Sequence, residues 1–358
     1  MERYDRQIRL ETIGLEGQQR LLNAKVLVVG AGGLGCPVLQ YLAAAGIGTL
    51  GIIDDDRVEL SNLQRQILFG MTDLGQSKAI AAKKRLLNLN PEIQINAFNE
   101  KLTAENALEH IGSYDVIVDG TDNFEARYWI NDACVLLNKP LVYGALYKFE
   151  GQLAVFNFQG GPSYRCLFPT PPDQNSIPNC EEVGVLGVLP GIIGTLQANE
   201  VLKILLNIGT PLSGQLLCYN ILTQTQSRIK IPRSELQIQQ VKDRNTLLDA
   251  EAELSCNTIQ TIPFHEALQK ANLQFIDVRA TEEHPRIVLE NTLYIPLQEL
   301  EARSNELDAS AHHVFFCQSG KRSKTAARLM QERKVKNCYS LIEGAPELVR
   351  LLKQSKIK

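Results

Sequence analysis

The chain has 358 residues, of which 44% are hydrophobic and 22% charged, and its formal net charge is −3. This composition is that of a folded protein with sizeable cores and excludes an intrinsically disordered chain, while the length predicts about two domains. The small negative charge and the lack of a long basic run argue against nucleic acid as a partner.

Two segments bear on the location of the protein. The N-terminal segment MERYDRQIRL is charged from its second residue and lacks the apolar core of a signal peptide. The most apolar stretch, residues 183–196, is rich in glycine and proline and too short to span a bilayer. We therefore expect a cytoplasmic protein that does not bind membranes. Its eight cysteines are scattered along a long chain, which indicates thiols rather than a disulfide framework.

Alternating strands and helices are predicted over residues 1–235. Apolar runs predict the strands KVLVV, TLGIIDDD, IQINAF, YDVIVDGTD and PLVYGA, followed by EGQLAVFNF and GQLLCYNI. The intervening segments VLQYLAAAG, 78–88, FEARYWINDACVLLN and 192–207 predict helices. This alternation is typical of an α/β domain with a mostly parallel, Rossmann-like sheet that binds a nucleotide.

The last third of the chain repeats the alternation on a smaller scale. Residues 236–257 are polar and without a clear period, which predicts a linker. Residues 258–358 then predict helix FHEALQK, strand LQFIDVR, strand HHVFFC, helix SKTAARLM and strand NCYSLI. The sequence thus predicts a second, smaller α/β domain over 258–358.

A glycine-rich turn lies between the first strand and the first long helix. Gly30, Gly32 and Gly35 form G-x-G-x-x-G, and Asp54 ends the next strand. Glycines there let the backbone approach a phosphate at the helix N-terminus, and a carboxylate at the next strand end is placed to bind ribose hydroxyls. The motif predicts a nucleotide, and on this motif alone a nicotinamide-dependent oxidoreductase stays open.

The segment DDDRVELSNLQRQ follows the strand that ends at Asp54. A triphosphate carries more negative charge than the pyrophosphate of a dinucleotide, and Arg65 with Lys78 is suited to balance it through charge-assisted hydrogen bonds. Asp122, at the end of another strand, is placed to hold Mg²⁺. A solvated charged loop is the alternative for these residues taken singly. The polar residues of the segment are Asp56, Asn62, Gln64 and Arg65.

Several segments together resemble the MoeB/ThiF family of adenylyltransferases, which are relatives of ubiquitin-activating enzymes. They are GAGGLG, the D-x-D at 54–56, SNLQRQ, GQSK, TDN with the following Arg127, and EGQ, within residues 1–232. In that family ATP adenylates the C-terminal glycine of a small ubiquitin-like sulfur carrier that ends in Gly-Gly, with release of pyrophosphate. The resemblance therefore implies ATP and Mg²⁺ as cofactors and a sulfur carrier protein as the partner.

The resemblance also implies roles for single residues. Gly33 is expected against the phosphates, Asp54 on the ribose and Asp122 on Mg²⁺. The family uses an arginine from the N-terminal segment of a neighbouring subunit on the α-phosphate. Arg6 matches that arginine, which implies a homodimer. The residues implied to contact phosphate are Asn62, Arg65 and Lys78.

The cysteines depart from the family pattern. Members commonly carry a structural zinc on two C-x-x-C pairs, but Ser163 stands three residues before Cys166, and no second pair follows Cys218. Because tetrahedral zinc needs four ligands, structural zinc is doubtful here. Cys36 and Cys134 lie on apolar helical stretches and are predicted core residues.

Cys180 lies in the polar segment SIPNCEEVGVLGVLPG. Many relatives carry a cysteine at this place that attacks the activated carrier or resolves its persulfide, so the resemblance implies a catalytic role. An exposed loop cysteine without a role is the alternative.

A second reactive thiol is predicted in FFCQSGKRSKTA, where Cys317 ends a strand before a helix. The thiolate is the nucleophile, and a helix N-terminus stabilises an anion by only about 0.3–1 kcal/mol, whereas one pKa unit is worth about 1.4 kcal/mol. Loop amides and the basic residues beside them are therefore needed to stabilise a thiolate or persulfide. The predicted persulfide loop consists of Gln318, Ser319, Gly320, Lys321, Arg322 and Ser323.

FIDVR, IPL and CQSGKRS resemble a rhodanese-type sulfurtransferase domain. Related phosphatase loops use C-x5-R to encircle phosphate. Here Arg322 gives C-x4-R, and the shorter ring favours a terminal sulfur over a tetrahedral phosphate.

Together the two domains predict an adenylyltransferase and sulfurtransferase that turns the carrier's C-terminal carboxylate into a thiocarboxylate. Such a product serves molybdopterin synthesis, thiamine synthesis or tRNA thiolation, with a cysteine desulfurase or a small sulfur donor supplying Cys317. The alternatives are a nicotinamide-dependent oxidoreductase fused to a sulfur-binding module and a non-catalytic scaffold that binds a ubiquitin-like protein.

Overall fold

The computed structural model describes residues 1–171, 184–244, 247, 259–308, 310–318, 320–333 and 335–355, apart from the side chains of Lys321, Glu332 and residues 353–355. Within the described residues the chain divides into two compact units. One contains 1–171 and 184–244, and the other contains 259–355. No helix in the described part of the chain is both long and apolar enough to cross a membrane.

The described part of the first unit is built on an eight-stranded sheet. The strands lie in the order β3-β2-β1-β4-β5-β6-β7-β8. The first five strands in this order pair in parallel, and the remaining neighbours pair antiparallel. The strands are β1 Lys25–Val29, β2 Thr49–Ile53, β3 Gln94–Phe98, β4 Val116–Asp119, β5 Leu141–Tyr147, β6 Glu150–Phe156, β7 Gln215–Asn220 and β8 Thr225–Lys230.

Helices cover both faces of this sheet. Because side chains alternate along a strand, Val26 and Val28 enter one core and Leu27 and Val29 the other. Short 3-10 helices lie at Glu2–Tyr4, Leu60–Asn62 and Met71–Asp73. The α-helices are α1 Asp5–Ile8, α2 Gly14–Asn23, α3 Gly35–Ala45, α4 Lys78–Leu89, α5 Ala107–Gly112, α6 Phe124–Leu136, α7 Tyr164–Leu167, α8 Val188–Leu206 and α9 Glu235–Lys242.

The register of the central strands fixes where the loops emerge. Val29 pairs with Ile53 on one side and with Asp119 on the other, so β1, β2 and β4 end at the same level. The glycine turn, the segment after Asp54 and the loop after β4 therefore leave one edge of the sheet together. This edge, where the strand order reverses, is where open α/β sheets bind ligands.

The second unit has a smaller, wholly parallel sheet in its described part, with strand order β11-β10-β12-β13-β9. Phe315 and Ile276 face the core that α11 covers, while Phe275 and Phe316 face the core that α12 covers. The elements are β9 Thr261–Ile262, α10 Phe264–Ala267, β10 Leu273–Asp277, β11 Thr292–Tyr294, a 3-10 turn at Ser304–Glu306, β12 His312–Phe316, α11 Lys321–Glu332, β13 Cys338–Leu341 and α12 Ala345–Ser355.

The predicted fold class is confirmed, and each predicted strand appears at its predicted place. The range predicted to be a linker, 236–257, begins within α9. Ile238 and Val241 of α9 are buried against Val135, so this part of the range packs on the first unit. Residues 245–246 and 248–257 lie outside the described part. The boundaries at 235 and 258 stay predictions.

Candidate active sites

The glycine turn has the backbone geometry that requires glycine. Gly30 has φ of 91°, and a Cβ on it would lie 2.8 Å from the carbonyl oxygen of Gly120. A Cβ on Gly35 would lie 1.9 Å from the carbonyl oxygen of Gly30, because α3 begins directly against the turn. Glycine therefore allows β1, the loop after β4 and α3 to meet closely, as a phosphate-binding turn needs.

Asp54 braces this turn. Its Oδ2 accepts a hydrogen bond from the backbone N–H of Ala31 at 2.7 Å, and its Oδ1 accepts one from that of Asp56 at 2.9 Å. Burial raises the pKa of the Asp54 carboxyl, and the charge of Lys78 opposes that shift. A carboxylate oxygen can accept a further hydrogen bond, so Asp54 can also serve the ribose for which it was predicted.

A cavity of about 790 Å³ lies at this edge of the sheet. Gly35 is buried and does not line the cavity, and neither does Arg6, which is exposed on α1. The remaining predicted nucleotide-site residues all line it. They are Gly30, Gly32, Gly33, Asp54, Asp56, Asn62, Arg65, Lys78 and Asp122.

Lys78 is a buried cation at the wall of this cavity. It opens α4, its side chain is 8% exposed, and its Nζ lies 2.8 Å from Oδ2 of Asp56, which is 67% exposed. Arg65 is held on the neighbouring segment, where its Nη1 donates to the carbonyl of Ser61 at 3.1 Å. Asp56 offsets the cost of burying this ammonium, and a phosphate bound in the cavity would be a second anion for it.

The loop after β4 is fixed by a buried carboxylate. Oδ1 of Asp119 accepts hydrogen bonds from the N–H of Thr121 at 2.9 Å and from its hydroxyl at 2.7 Å. Arg127 lies 3.4 Å from Asp119 and donates to the carbonyl of Thr121 at 2.9 Å. Asn123 caps α6 through the N–H of Ala126. Asp122 is thereby held exposed at the cavity wall.

Asp122 fits the way Mg²⁺ binds in nucleotide sites, where one or two carboxylates act together with substrate phosphates. Among the residues that the structure describes, no cluster of three or more His, Cys, Asp and Glu side chains could hold a metal by itself. A metal at Asp122 would therefore depend on the nucleotide for most of its ligands.

The position implied for zinc does not fit tetrahedral zinc. Sγ of Cys166 accepts hydrogen bonds from the backbone N–H groups of Ser163 and Ser234, each at 3.3 Å. Here one thiol and the hydroxyl of Ser163, 3.5 Å from it, stand where a C-x-x-C pair would supply two of the four thiolates that the ion needs. The expectation that zinc is doubtful stays a prediction.

A buried ion cluster joins the same elements. Asp132, fully buried on α6, accepts hydrogen bonds from Arg165 Nε at 2.7 Å and Nη2 at 2.8 Å. Its Oδ2 also accepts one from Arg244 Nη1 at 2.6 Å. The cluster ties α7 and the segment after α9 to α6.

We expect Asp132→Asn to destabilise the first unit by about 3–5 kcal/mol, because it leaves buried cations without their partner. Trp129, the single tryptophan of the chain, is buried one turn away on α6. Urea unfolding followed by tryptophan fluorescence therefore measures this unit.

The matched control is Asp5→Asn, which breaks an exposed pair with Arg9 and should cost under about 1 kcal/mol. Equal effects of the two substitutions would contradict the assigned role of Asp132. A chelator should leave the tryptophan-monitored transition of the wild type unchanged.

In the second unit, Cys317 directly follows β12 and is 1% exposed. Its Sγ lies 3.7 Å from Oγ of Ser323, which itself lies 2.9 Å from the carbonyl of Gly320 and 2.9 Å from Oγ of Ser340. Gly320 caps α11 with φ of 83°. The sulfur therefore lies beside the first turn of a twelve-residue helix.

The other predicted loop residues differ in what the structure says of them. Gln318 is exposed, whereas Ser319 and the side chain of Lys321 lie outside the described part. The guanidinium of Arg322 binds both carboxylate oxygens of Glu283, with Nη2 donating to Oε2 at 2.8 Å. Sequence reasoning placed Arg322 beside the sulfur but missed Glu283.

The remaining cysteines with a predicted location or role are Cys36, Cys134 and Cys180. Cys36 and Cys134 are buried core residues, as predicted. Burial raises the pKa of Cys36 to about 12 and also raises that of Cys134, so both are poor nucleophiles near neutral pH. Cys180 lies outside the described residues, and its predicted role stays a prediction.

Other residues of the cavity wall were missed by sequence reasoning. Gln66 is 3% exposed, and its Oε1 is buried without a hydrogen-bond partner in the described part of the chain. Its place within SNLQRQ was the available signal. Four more come from distant parts of the chain and carry no local motif: Lys101, Tyr147 at the end of β5, Lys148 and Pro190 in α8.

Comparison with known proteins agrees with this division. The ThiF family model matches residues 4–239, and the Rhodanese-like domain model matches residues 263–350. The chain is 53% identical over 239 residues to a sulfur carrier protein adenylyltransferase of Thermus thermophilus, with 65% of this chain and 88% of the relative covered. A probable molybdopterin-synthase adenylyltransferase of Porphyra purpurea is 42% identical, with 93% and 89% covered.

A third relative, the adenylyltransferase and sulfurtransferase MOCS3 of Arabidopsis thaliana, is 39% identical, with 96% of this chain and 82% of the relative covered. Among solved structures, E. coli MccB with AMPCPP and MccA superposes with a TM-score of 0.56 and 25% identity, covering 65% of this chain and 73% of that one. The chain therefore belongs to the ThiF family and carries a rhodanese-like domain towards its C-terminus.

Proposed function

We propose that the first unit adenylates the C-terminal glycine of a ubiquitin-like sulfur carrier protein and that Cys317 of the second unit delivers the sulfur. The observation that carries the first half is the cavity at the strand ends, which combines a glycine turn with the cations Lys78 and Arg65. Such a cavity suits a triphosphate better than a dinucleotide. MccB, whose crystals contain AMPCPP and MccA, supports a nucleotide and a peptide at this fold.

In the proposed first step a carboxylate oxygen of the carrier attacks the α-phosphorus of ATP. The bond to the leaving pyrophosphate breaks, and an acyl adenylate forms. Lys78, Arg65 and Asn62 bind the phosphates, Gly33 lets the backbone approach them, and Asp54 binds the ribose. These groups position the reactants and stabilise the negative charge that develops.

Mg²⁺ held by Asp122 and the phosphates would neutralise charge on the triphosphate. Asp119 and Asn123 support this role, because they fix the loop that presents Asp122 to the cavity.

In the proposed second step the terminal sulfur of a Cys317 persulfide attacks the acyl carbon, and AMP leaves. The carrier is then joined to Cys317 through an acyl disulfide. A thiol attacks the sulfur of Cys317 in that bond, which releases the carrier thiocarboxylate and forms a disulfide with Cys317. Cys180 is the candidate for that thiol.

The relatives define the partner only by class. The names of the relatives from Thermus, Porphyra and Arabidopsis refer to a sulfur carrier, to molybdopterin synthase and to sulfur transfer. They do not favour an oxidoreductase or a non-catalytic scaffold. These names support a role in molybdopterin synthesis. We further propose thiamine synthesis or tRNA thiolation as other uses of the product, a cytoplasmic location, and a cysteine desulfurase as the sulfur donor.

The direct test of adenylation is exchange of radioactive pyrophosphate into ATP. The proposal predicts exchange only when a carrier ending in Gly-Gly is present, because the carrier's carboxylate is the nucleophile. Exchange without any carrier, or reduction of a nicotinamide cofactor, would contradict it.

We further propose that the enzyme is a homodimer in which Arg6 completes the partner's site. Arg6→Ala and Asp122→Ala should each be inactive alone, because each removes one part of every site. In a remixed sample, half the dimers are mixed and each holds one intact site, so about a quarter of wild-type exchange should return. Absence of any recovery, in a sample shown to have exchanged subunits, would place Arg6 in its own chain's chemistry or outside the site.

A further inference from the structure

The rim of the persulfide loop carries an ion pair that sequence reasoning did not foresee. Arg322 binds Glu283 through both of its terminal nitrogens, and the two side chains are 36% and 30% exposed. The hydrogen bond from Arg322 lowers the pKa of Glu283 to about 2, so the pair is charged at neutral pH. Because both side chains are partly exposed, the ion pair lies at the surface of the unit and not within its core.

Glu283 is itself held in place. Its Oε1 also accepts a hydrogen bond from the backbone N–H of Ala280 at 2.9 Å. Arg286 supports the same turn by donating to the carbonyls of Ala280 and Thr281. The carboxylate thus reaches Arg322 from a braced turn that lies 39 residues away in sequence.

Arg322 and Ser323 are neighbours at the start of α11, and Oγ of Ser323 lies 3.7 Å from Sγ of Cys317, so Arg322 belongs to the turn beside the sulfur. A second arginine of the unit, Arg279, is fully buried and bound in two-pronged fashion by Asp277. Arg322 is thus paired with Glu283, whereas Arg279 shares Asp277 with Arg286, whose Nη1 lies 3.6 Å from Oδ2 of Asp277. Because Glu283 offsets the charge of Arg322, we expect the persulfide loop to attract small anions less strongly than the C-x4-R pattern alone suggests.

We propose that Glu283 determines specificity for the sulfur donor: by neutralising Arg322 it disfavours small, highly charged donors such as thiosulfate and favours sulfur offered at lower charge, such as a cysteine persulfide. This inference rests on the proposed role of Cys317. Glu283 is a positioning residue in this account, since it acts through Arg322.

The chemistry is the same for each donor. The Cys317 thiolate attacks the outer sulfur of the donor, a new sulfur–sulfur bond forms, and the donor's own bond to that sulfur breaks. The electron pair leaves with sulfite from thiosulfate, with methanesulfinate from methanethiosulfonate, or with the donor thiolate from a persulfide. Charge balances in each case, and no outside oxidant is needed. Only the charge of the donor differs.

The test compares Glu283→Gln with wild-type full-length protein, using thiosulfate and methanethiosulfonate as donors and cyanide as acceptor. The amide keeps the acceptor for Ala280 and removes the charge. We expect kcat/KM to rise about tenfold for doubly charged thiosulfate and about threefold for singly charged methanethiosulfonate. The gain should lie in KM and shrink at high salt.

Two controls separate charge from structure. Glu283→Asp keeps the charge and should keep the wild-type preference between donors. Glu306→Gln removes an exposed carboxylate paired with Arg303 elsewhere in the unit and should change neither donor. If Glu283→Gln does not fold, Arg322→Gln replaces it. That variant leaves Glu283 unopposed and should lower thiosulfate use more than methanethiosulfonate use.

Three results would overturn the proposal. They are no change in either donor with Glu283→Gln, an equal change in both that salt does not affect, and an unaltered donor ratio with Arg322→Gln. Cys317→Ser separates this from the underlying function. If this variant retains thiocyanate formation, the proposed role of Cys317 is wrong. If Cys317 is required but Glu283→Gln changes nothing, only the specificity proposal is wrong.

Discussion

Asp122→Asn is expected to reduce carrier-dependent pyrophosphate exchange on the order of 10³-fold or more, because it removes the carboxylate that would hold Mg²⁺ against the triphosphate where charge develops. The fold should not change. The loop that carries Asp122 is fixed by Asp119 and by the Asn123 cap, and neither depends on the Asp122 side chain. Urea unfolding monitored at Trp129 should therefore match the wild type, and formation of the Cys317 persulfide should continue.

Asp115, at the other end of β4, provides a matched control. Asp115 precedes β4, at the opposite end from Asp122, and accepts a hydrogen bond from the N–H of Lys25. Asp115→Asn should retain exchange within a few-fold of the wild type. If Asp122→Asn exchanged pyrophosphate as well as Asp115→Asn does, the cavity at the strand ends would not be the adenylation site.

Cys317→Ala is expected to abolish both thiocyanate formation and the carrier thiocarboxylate, while carrier-dependent pyrophosphate exchange stays at the wild-type rate. The reason is chemical, because alanine offers no sulfur that can accept or transfer a sulfane atom. Adenylation uses residues of the first unit only.

Cys338→Ala is the matched control, since Cys338 is a second buried thiol of the same unit. Burial raises the pKa of Cys338 to about 12, so it is protonated near neutral pH and cannot substitute for Cys317. This variant should retain both activities. Loss of exchange together with sulfur transfer in Cys317→Ala would show that the two chemistries are not divided between the units as proposed.

Sequence patterns predicted those site residues whose chemical role follows from their local backbone structure. Glycines at 30 and 35 predicted the turn because a Cβ at either position would lie within 3 Å of a backbone carbonyl oxygen, which only glycine avoids. Asp54 and Cys317 were found because each directly follows a buried strand, and Asp122 because it lies in the loop after β4. Within one sheet, the ends of parallel strands meet at one edge. Apolar runs of four to seven residues predicted those strands correctly.

Contacts between residues far apart in sequence could not be predicted in the same way. Glu283 reaches Arg322 across 39 residues, and Arg244 reaches Asp132 across 112. Each is an ordinary charged residue in its local sequence, and only the fold determines which partner it meets. Helix α9 was missed as part of the first unit for a related reason, since two apolar side chains on a polar segment give a weak periodic signal.

The most direct measurement is the mass of the carrier's C-terminal peptide after incubation with the full-length enzyme, ATP, Mg²⁺ and a persulfide donor. The account predicts a tail in which one carboxylate oxygen has been replaced by sulfur, formed by the wild type and by neither Asp122→Asn nor Cys317→Ala. A tail that is never converted by the wild type, or one that still gains sulfur when Cys317 is absent, would contradict it.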